Sequence, residues 1–140
     1  MRIATYREPD SPLLSSRLRV EVIQVDSTTY RFQASEKSGG AFVGAADLVV
    51  SQKAYGRAGS ISYEIRSDKR GNGYATELLR TIIASAYADL GLVNIYGIAE
   101  ETNLAAQYVL QRTGFVFNDK VGKDTLRFEA WNPRFQTANA

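Results

Sequence analysis

Two rhythms divide this chain. Up to about residue 65, apolar residues mostly alternate with polar ones, the period of a strand with one buried face; from Ala75 they recur at steps of three and four, the period of a helix. Leu18-Arg19-Val20-Glu21-Val22-Ile23 and the stretch Thr28 to Ala34 flank Asp26-Ser27 and predict an antiparallel hairpin. Ser38-Gly39-Gly40 marks a further turn, and Ala41 to Val50 is apolar enough for an interior strand. Gly56 and Gly59 suggest a loop before a strand at Ile61 to Ile65. Leu78, Leu79, Ile82, Ile83, Ala86, Tyr87 and Leu90 then form one stripe of a helix over Thr76 to Leu90, ended by Gly91. Val93 to Ala99 reads as a strand. Asn103 caps a second helix, with Ala106, Val109, Leu110 and Thr113 on one face and Gly114 as its stop. Phe115 to Phe117 and Thr125 to Trp131 make a closing hairpin around Asn118 to Asp124.

Strands first, then strand, helix, strand, helix and hairpin, define an α+β fold with helices packed on a mixed sheet. Pro9, Asp10, Pro12 and Ser15-Ser16 are turn chemistry, so residues 1–16 read as an arm, with a short first strand at Arg2 to Tyr6. Residues 17–132 form one domain and 133–140 a frayed tail.

Composition mainly removes chemistries. The chain has no cysteine and no histidine, which excludes disulfides, a thiolate nucleophile, a serine–histidine triad and nearly every common transition-metal site. No metal is expected, and acid–base work falls to Glu, Asp, Tyr, Lys, the backbone or water. Apolar stretches stop well short of the ~20 residues of a membrane span, and no leader opens the chain, so no membrane association and a cytoplasmic location are expected. A net charge of +2 is too small to argue for nucleic acid.

The richest local signal is Arg70-Gly71-Asn72-Gly73-Tyr74-Ala75, between a strand and a helix. Two glycines and a small residue leave little side chain over the helix start, where backbone N–H groups lie unpaired at the positive end of the dipole. Such a turn binds phosphate, and Arg70 adds a planar cation. A Rossmann-type site fits less well, because Thr76 stands where that fingerprint has its third glycine.

Arg70-x-x-Gly73-x-Ala75, then the helix and strand, then Asn103-x-Ala105-Ala106 and Gly114-Phe115, resembles the GNAT superfamily of acyl-CoA-dependent N-acetyltransferases. The pattern over residues 60–117 is most similar to the branch holding ribosomal-protein N-terminal and polyamine acetyltransferases. The resemblance implies a GNAT-like, mostly antiparallel mixed sheet, acetyl-CoA as cofactor, and direct transfer to an amine. It further implies that the backbone near Ile65 pairs with the pantetheine arm at a splay between parallel strands. Arg70 and the amides of Gly71, Asn72, Gly73, Tyr74, Ala75 and Thr76 would hold the pyrophosphate, and Asn103 would orient the pantetheine.

The chain departs from that family where proton transfer is concerned. Many members have a tyrosine seven residues after the asparagine, here Leu110, and the named branch commonly has a serine three residues after it, here Ala106. Tyr108 is close in sequence, yet two residues from Ala106 is roughly 200° around a helix, which predicts that it points to the other side. Tyr63, Glu64 and Tyr108 are the candidate catalytic residues. Glu100 and Glu101 either line the acceptor side or favour the helix dipole. The function expected is N-acetyl transfer from acetyl-CoA to a protein N-terminus, a lysine or a small amine; the alternative is a catalytically degenerate acyl-CoA sensor or assembly protein. Lys53, Arg57, Arg66, Lys69 and Arg70 raise a third reading, a nucleic-acid-associated modifier, but phosphate on the cofactor already accounts for the last two. No long helix is predicted before residue 60, so the acceptor side is expected to be open or completed by a second subunit of a homodimer.

Overall fold

The computed structural model describes residues 7–135. The strand expected at Arg2 to Tyr6 and the last five residues lie outside that range. Eight strands form one sheet: β1 (Leu13–Leu14), β2 (Leu18–Gln24), β3 (Thr29–Glu36), β4 (Phe42–Lys53), β5 (Gly56–Ile65), β6 (Asn94–Glu100), β7 (Val116–Lys120) and β8 (Thr125–Trp131). Their order is β1-β2-β3-β4-β5-β6-β8-β7. Among these neighbours β5 and β6 alone run parallel, because α1 (Tyr74–Ala88) joins them as a crossover, whereas the other strands of the first half are linked by short turns. After β6 comes α2 (Leu104–Arg112), and β7 enters beyond β8 rather than beside β6.

The alternation seen in the sequence has a direct spatial meaning. Tyr30, Leu48, Ile61, Gly97 and Phe128 stand in successive register across β3, β4, β5, β6 and β8, and all but the glycine are large apolar groups that are nearly or fully buried. Leu78, Leu79, Ile82 and Ala86 of α1, each without solvent exposure, and Leu110 of α2 close over this face. Burying such a side chain contributes about 1.5–3 kcal/mol. The opposite face presents Arg31, Asp47, Ser60, Ser62, Glu64, Tyr96 and Ile98, and no helix among the described residues covers it.

Two expectations are corrected. Gly56 and Gly59 do not form a loop; both lie in β5, and the turn shrinks to residues 54–55. A Cβ at Gly59 would come within 2.8 Å of Leu48 Cδ1 and of Leu92 Cδ1, so glycine there admits two leucines against the strand rather than bending it. Helix α1 also starts at Tyr74, two residues before the expected Thr76.

Candidate active site at the strand splay

Strands β5 and β6 pair only from Ala58 to Ile61 against Asn94 to Gly97. Beyond that point β5 stays with β4 as far as Ile65, while β6 stays with β8 as far as Glu100, and the two parallel strands separate. The Arg57 carbonyl accepts from Val93 N–H on the β6 side (2.7 Å), whereas Arg66 N–H donates to Val43 on the β4 side (2.8 Å). Since the polar groups of a strand alternate direction residue by residue, the main-chain groups of Tyr63 and Ile65 face the opening. The groove there has a volume of about 640 Å³ and runs from the splay to the start of α1, with Ala75, Ala106 and Val109 among its walls.

The loop at its far end leaves a run of backbone amides unpaired. Gly71 (φ 78°) and Gly73 (φ 79°) adopt left-handed conformations, and Gly73 caps α1 with no side-chain hydrogen bond. Intrahelical bonding begins with Glu77 N–H to the Gly73 carbonyl, and none of the amides from Gly71 to Thr76 donates to a protein acceptor among the described residues. A Cβ on Gly71 would meet nothing within 4 Å, so glycine serves the backbone conformation there, not the space. Asn72 Nδ2 donates to the Lys69 carbonyl at 3.0 Å and closes the loop on itself.

Two carboxylates tie this region to the rest of the fold, Glu36 from β3 and Glu77 from α1 to the segment before β2, and neither tether was visible in the sequence. Glu36, on β3, accepts from Tyr74 Oη (2.6 Å) and from Lys69 Nζ (3.2 Å). These two bonds hold its carboxyl below the usual range, against the smaller opposing effect of burial. Glu77 accepts from Ser15 Oγ (2.5 Å), from Arg17 N–H (2.7 Å) and from Arg17 Nε (2.7 Å). Burial pushes the Glu77 carboxyl up, but these donors outweigh it and the net shift is downward. Arg17 also lies over the Tyr74 ring, 4.3 Å from its centroid, and its Nη2 would be 3.5 Å from a Cβ at Gly73. It therefore belongs to the site, although it stands more than fifty residues away in sequence with no local motif to mark it.

Arg70 is less free than its sequence position suggested. Its Nε donates to the Ile65 carbonyl at 2.9 Å, and its Nη2 lies 3.7 Å from Glu64 Oε1. Three of the cations grouped with it are also engaged: Arg66 is bidentate to Asp68, Arg57 donates to the Leu90 carbonyl and Lys69 to Glu36.

Among the candidate catalytic groups, Tyr63 sits half-buried on the helix-covered face, and burial raises its phenol above the ordinary value. Glu64, its neighbour, points to the helix-free face with its side chain 85% exposed. Asn103 caps α2 through its Oδ1, which accepts from Ala106 N–H at 3.0 Å. The expectation for Tyr108 needs correction: although it flanks Ala106 on the helix, both residues line the groove. A long helical side chain reaches back over the preceding turn, so a residue on the flank of α2 can still border a wide groove. Tyr108 is exposed, lies under the Arg112 guanidinium (5.7 Å to the ring centroid) and also borders a second cleft beside α1. Ala106 and Leu110 provide no proton donor.

Comparison with known proteins places this architecture. The family model described as an acetyltransferase (GNAT) domain matches residues 5–116, and the chain belongs to that family. It is a GNAT-type acetyltransferase by that membership. No curated protein matches. The spermidine N-acetyltransferase of Vibrio cholerae, solved with CoA and spermine, superposes with a TM-score of 0.70 at 19% identity, covering 81% of this chain and 71% of that one. A putative ribosomal-protein-serine acetyltransferase from Vibrio cholerae gives 0.73 at 15% identity, over 89% of this chain and 99% of that one. The Campylobacter jejuni N-acetyltransferase PseH gives 0.64 at 18%, over 76% and 70%. At these identities the likeness is one of fold. No helix among the described residues is long and apolar enough to cross a membrane.

Proposed function

We propose that this chain transfers an acetyl group from acetyl-coenzyme A directly to a primary amine. The observation that carries the reading is the splay of β5 from β6, joined by one groove to the uncommitted amides of residues 71–76. The residues present fit the coenzyme: left-handed glycines with open space above Gly71, and a groove large enough for an extended arm. The amides from Gly71 to Thr76, with Arg70, would hold its pyrophosphate, while the Ile65 main chain and Asn103 border the arm. When bound, the coenzyme supplies an acyl carbonyl activated as a thioester.

The chain's own groups then divide the work. The N–H groups of Tyr63 and Ile65 face the splay and can donate to a carbonyl oxygen as it gains charge. An acceptor ammonium first gives one proton to solvent; the neutral nitrogen then forms the new bond to the acyl carbon while the carbon–sulfur bond breaks, so one further proton leaves nitrogen and one must reach sulfur. Glu64, on the open face, accepts the first directly or through water; Tyr63, a phenol that is protonated at neutral pH and whose acidity burial lowers further, is the candidate to supply the second. Glu64 and Glu100 both border the groove, which suits an acceptor that arrives as a cation. Relatives in fold are described as acting on spermidine and on ribosomal protein, and the acceptor here is read as a small amine, a lysine or a protein N-terminus.

A second reading, an acyl-CoA-binding protein without turnover, is favoured by Ala106 and Leu110 alone. One measurement separates them: thiol release from acetyl-CoA with a panel of polyamines, lysine peptides and N-terminal peptides. Amine-dependent release is the expected result, and tight binding without release for any amine supports the second reading. Acetyl-CoA should also raise the melting temperature, since a ligand at a hundredfold its Kd adds about 2.7 kcal/mol. No shift at millimolar acetyl-CoA would overturn both.

A further inference from the structure

The groove at the splay passes through the sheet. Ile61 and Tyr63 line it from the helix-covered face, and Ser62, Glu64, Ile98 and Glu100 line it from the other. On that second face it continues into a trough that follows β5 away from the splay. Ser62, Ser60 and Ala58 are its floor, small residues at every second position. Asp47 and Val49 of β4 stand in register with the two serines on one side, while Tyr96, in register with Ser60, and Ile98 rise on the other. The trough ends at Tyr55 and Trp131, whose ring centroids lie 5.9 Å apart, since Ala58, Asn94 and Trp131 share one register across β5, β6 and β8. The strand from Glu64 to Ala58 spans about 20 Å, enough for about six residues of an extended chain.

Charge is concentrated at one end of this trough. The carboxylates beside it are already answered: Asp47 accepts from Arg31 Nε and Nη2 (2.9 and 3.2 Å), buried Glu129 accepts from Asn94 Nδ2, and Asp119 is bidentate to Arg127. At the splay, Glu64 has only Arg70, at 3.7 Å, and Glu100 has no cation partner among the described residues. Away from the splay the trough offers exposed apolar surface, Val49 and Ile98, in place of charge.

We propose that the acceptor is the N-terminus of an extended polypeptide, its ammonium drawn to Glu64 and Glu100 and its next residues lying in the trough against Ile98 and Val49. The inference rests on the transfer reading above and narrows its acceptor to one class. The exposed Ser60 and Ser62 hydroxyls are left to bond the main chain of such a peptide. A polyamine brings further ammonium groups, for which the trough holds no uncommitted carboxylate. A lysine side chain arrives from a backbone that runs on in both directions, whereas the trough stops at the splay, where β5 ends at Ile65 and the coenzyme groove begins. A chain that fills the trough therefore ends there, and the end that carries an amine is the N-terminus.

The test is steady-state thiol release from acetyl-CoA by the full chain with a set of acceptors. They are a lysine-free hexapeptide amide with a free N-terminus and apolar residues after the first, the dipeptide amide cut from its N-terminal end, an N-terminally blocked hexapeptide with one lysine, and spermidine. Burying about 60 Å² of apolar surface in the trough is worth about tenfold in kcat/KM. The free hexapeptide should exceed each of the other acceptors by at least about that factor. Val49→Glu alters an exposed position outside the coenzyme groove. It should cut the advantage of hexapeptide over dipeptide to within about threefold and leave the calorimetric Kd of coenzyme A unchanged. A hexapeptide no better than the dipeptide in the unaltered chain overturns the proposal, as does a preference for spermidine or for the lysine peptide. So does an undiminished advantage in Val49→Glu. A variant that failed to fold would show as loss of coenzyme binding, and the comparison of peptide lengths in the unaltered chain then decides alone. Release with none of the acceptors, with coenzyme A bound, would overturn the transfer reading itself and this proposal with it.

Discussion

At the scale of single residues, the site divides into groups that act through the main chain and groups that act through the side chain. Gly73 belongs to the first kind. Its φ of 79° is a conformation that β-branched residues avoid, at a cost of about 1–3 kcal/mol, yet a Cβ there would touch only the end of Arg17 at 3.5 Å. Gly73→Val should therefore still fold, with a lowered melting temperature, and lose the stabilisation by coenzyme A, because the left-handed turn that aims the amides no longer forms. Unchanged affinity in calorimetry would reduce the loop to a simple turn. Glu64, Tyr63 and Tyr108 are proposed to act through their side chains. Removing a group that transfers a proton in the transition state costs about a hundredfold to ten-thousandfold in rate. Glu64→Gln and Tyr63→Phe should show such losses in kcat with coenzyme affinity preserved. Tyr108→Phe keeps the ring and should retain most of the activity; a hundredfold loss in kcat at normal affinity would make Tyr108 the acid after all.

At the scale of elements, the decisive contact is that of α2 with β6. Gly97 on β6 has Leu110 above it, and a Cβ there would lie 2.9 Å from Leu110 Cδ2. Leu110 is buried, so Gly97→Ala must push α2 off the sheet rather than displace a free side chain. Overpacking of this kind costs about 1–3 kcal/mol. The groove wall formed by Ala106 and Val109 should move with the helix, so weaker coenzyme binding is expected together with a lower melting temperature; a melting change alone would show that the groove adjusts independently. The two helices, the Asn103 cap and the glycine turn before α1 could be read from the sequence because each is written in a short window: a periodic stripe, a side chain three residues from its partner, two glycines before a helix. The start of β5 could not. Gly59 is glycine because Leu48 and Leu92 meet there, and residues brought together by the fold leave no local pattern. Arg17 and Glu36 were missed for the same reason, since each reaches the loop across the tertiary structure.

At the scale of the whole molecule, carboxylates hold separate parts of the fold together at one end of the pH range, and buried phenols limit it at the other. Glu36 joins β3 to the phosphate loop and Glu77 joins α1 to the segment before β2; both have carboxyls shifted below the reference value of 4.5. A depressed folded-state pKa gives stability that is present above the unfolded value and disappears as pH falls through the folded one. The melting temperature should thus hold steady down to about pH 5 and drop below it, and Glu77→Gln should make that drop shallower. The absence of histidine removes the usual side-chain titration between pH 5 and 8, so the plateau should be flat. Tyr87 and Tyr96, whose phenols burial raises to about 12, contribute most to the alkaline limb, and Tyr87 can be tested alone. Burial raises its phenol to about 12, and its hydroxyl, buried among the described residues, finds no hydrogen-bond partner there. A raised folded-state pKa gives stability that is complete below the unfolded value, near 10, and is lost as pH rises through the folded one. Tyr87→Phe removes both the titration and the unpartnered hydroxyl, whose desolvation costs on the order of 1 kcal/mol. It should raise the melting temperature at neutral pH and soften the decline above pH 10. A lower melting temperature at pH 7 would show that the hydroxyl is hydrogen-bonded in solution.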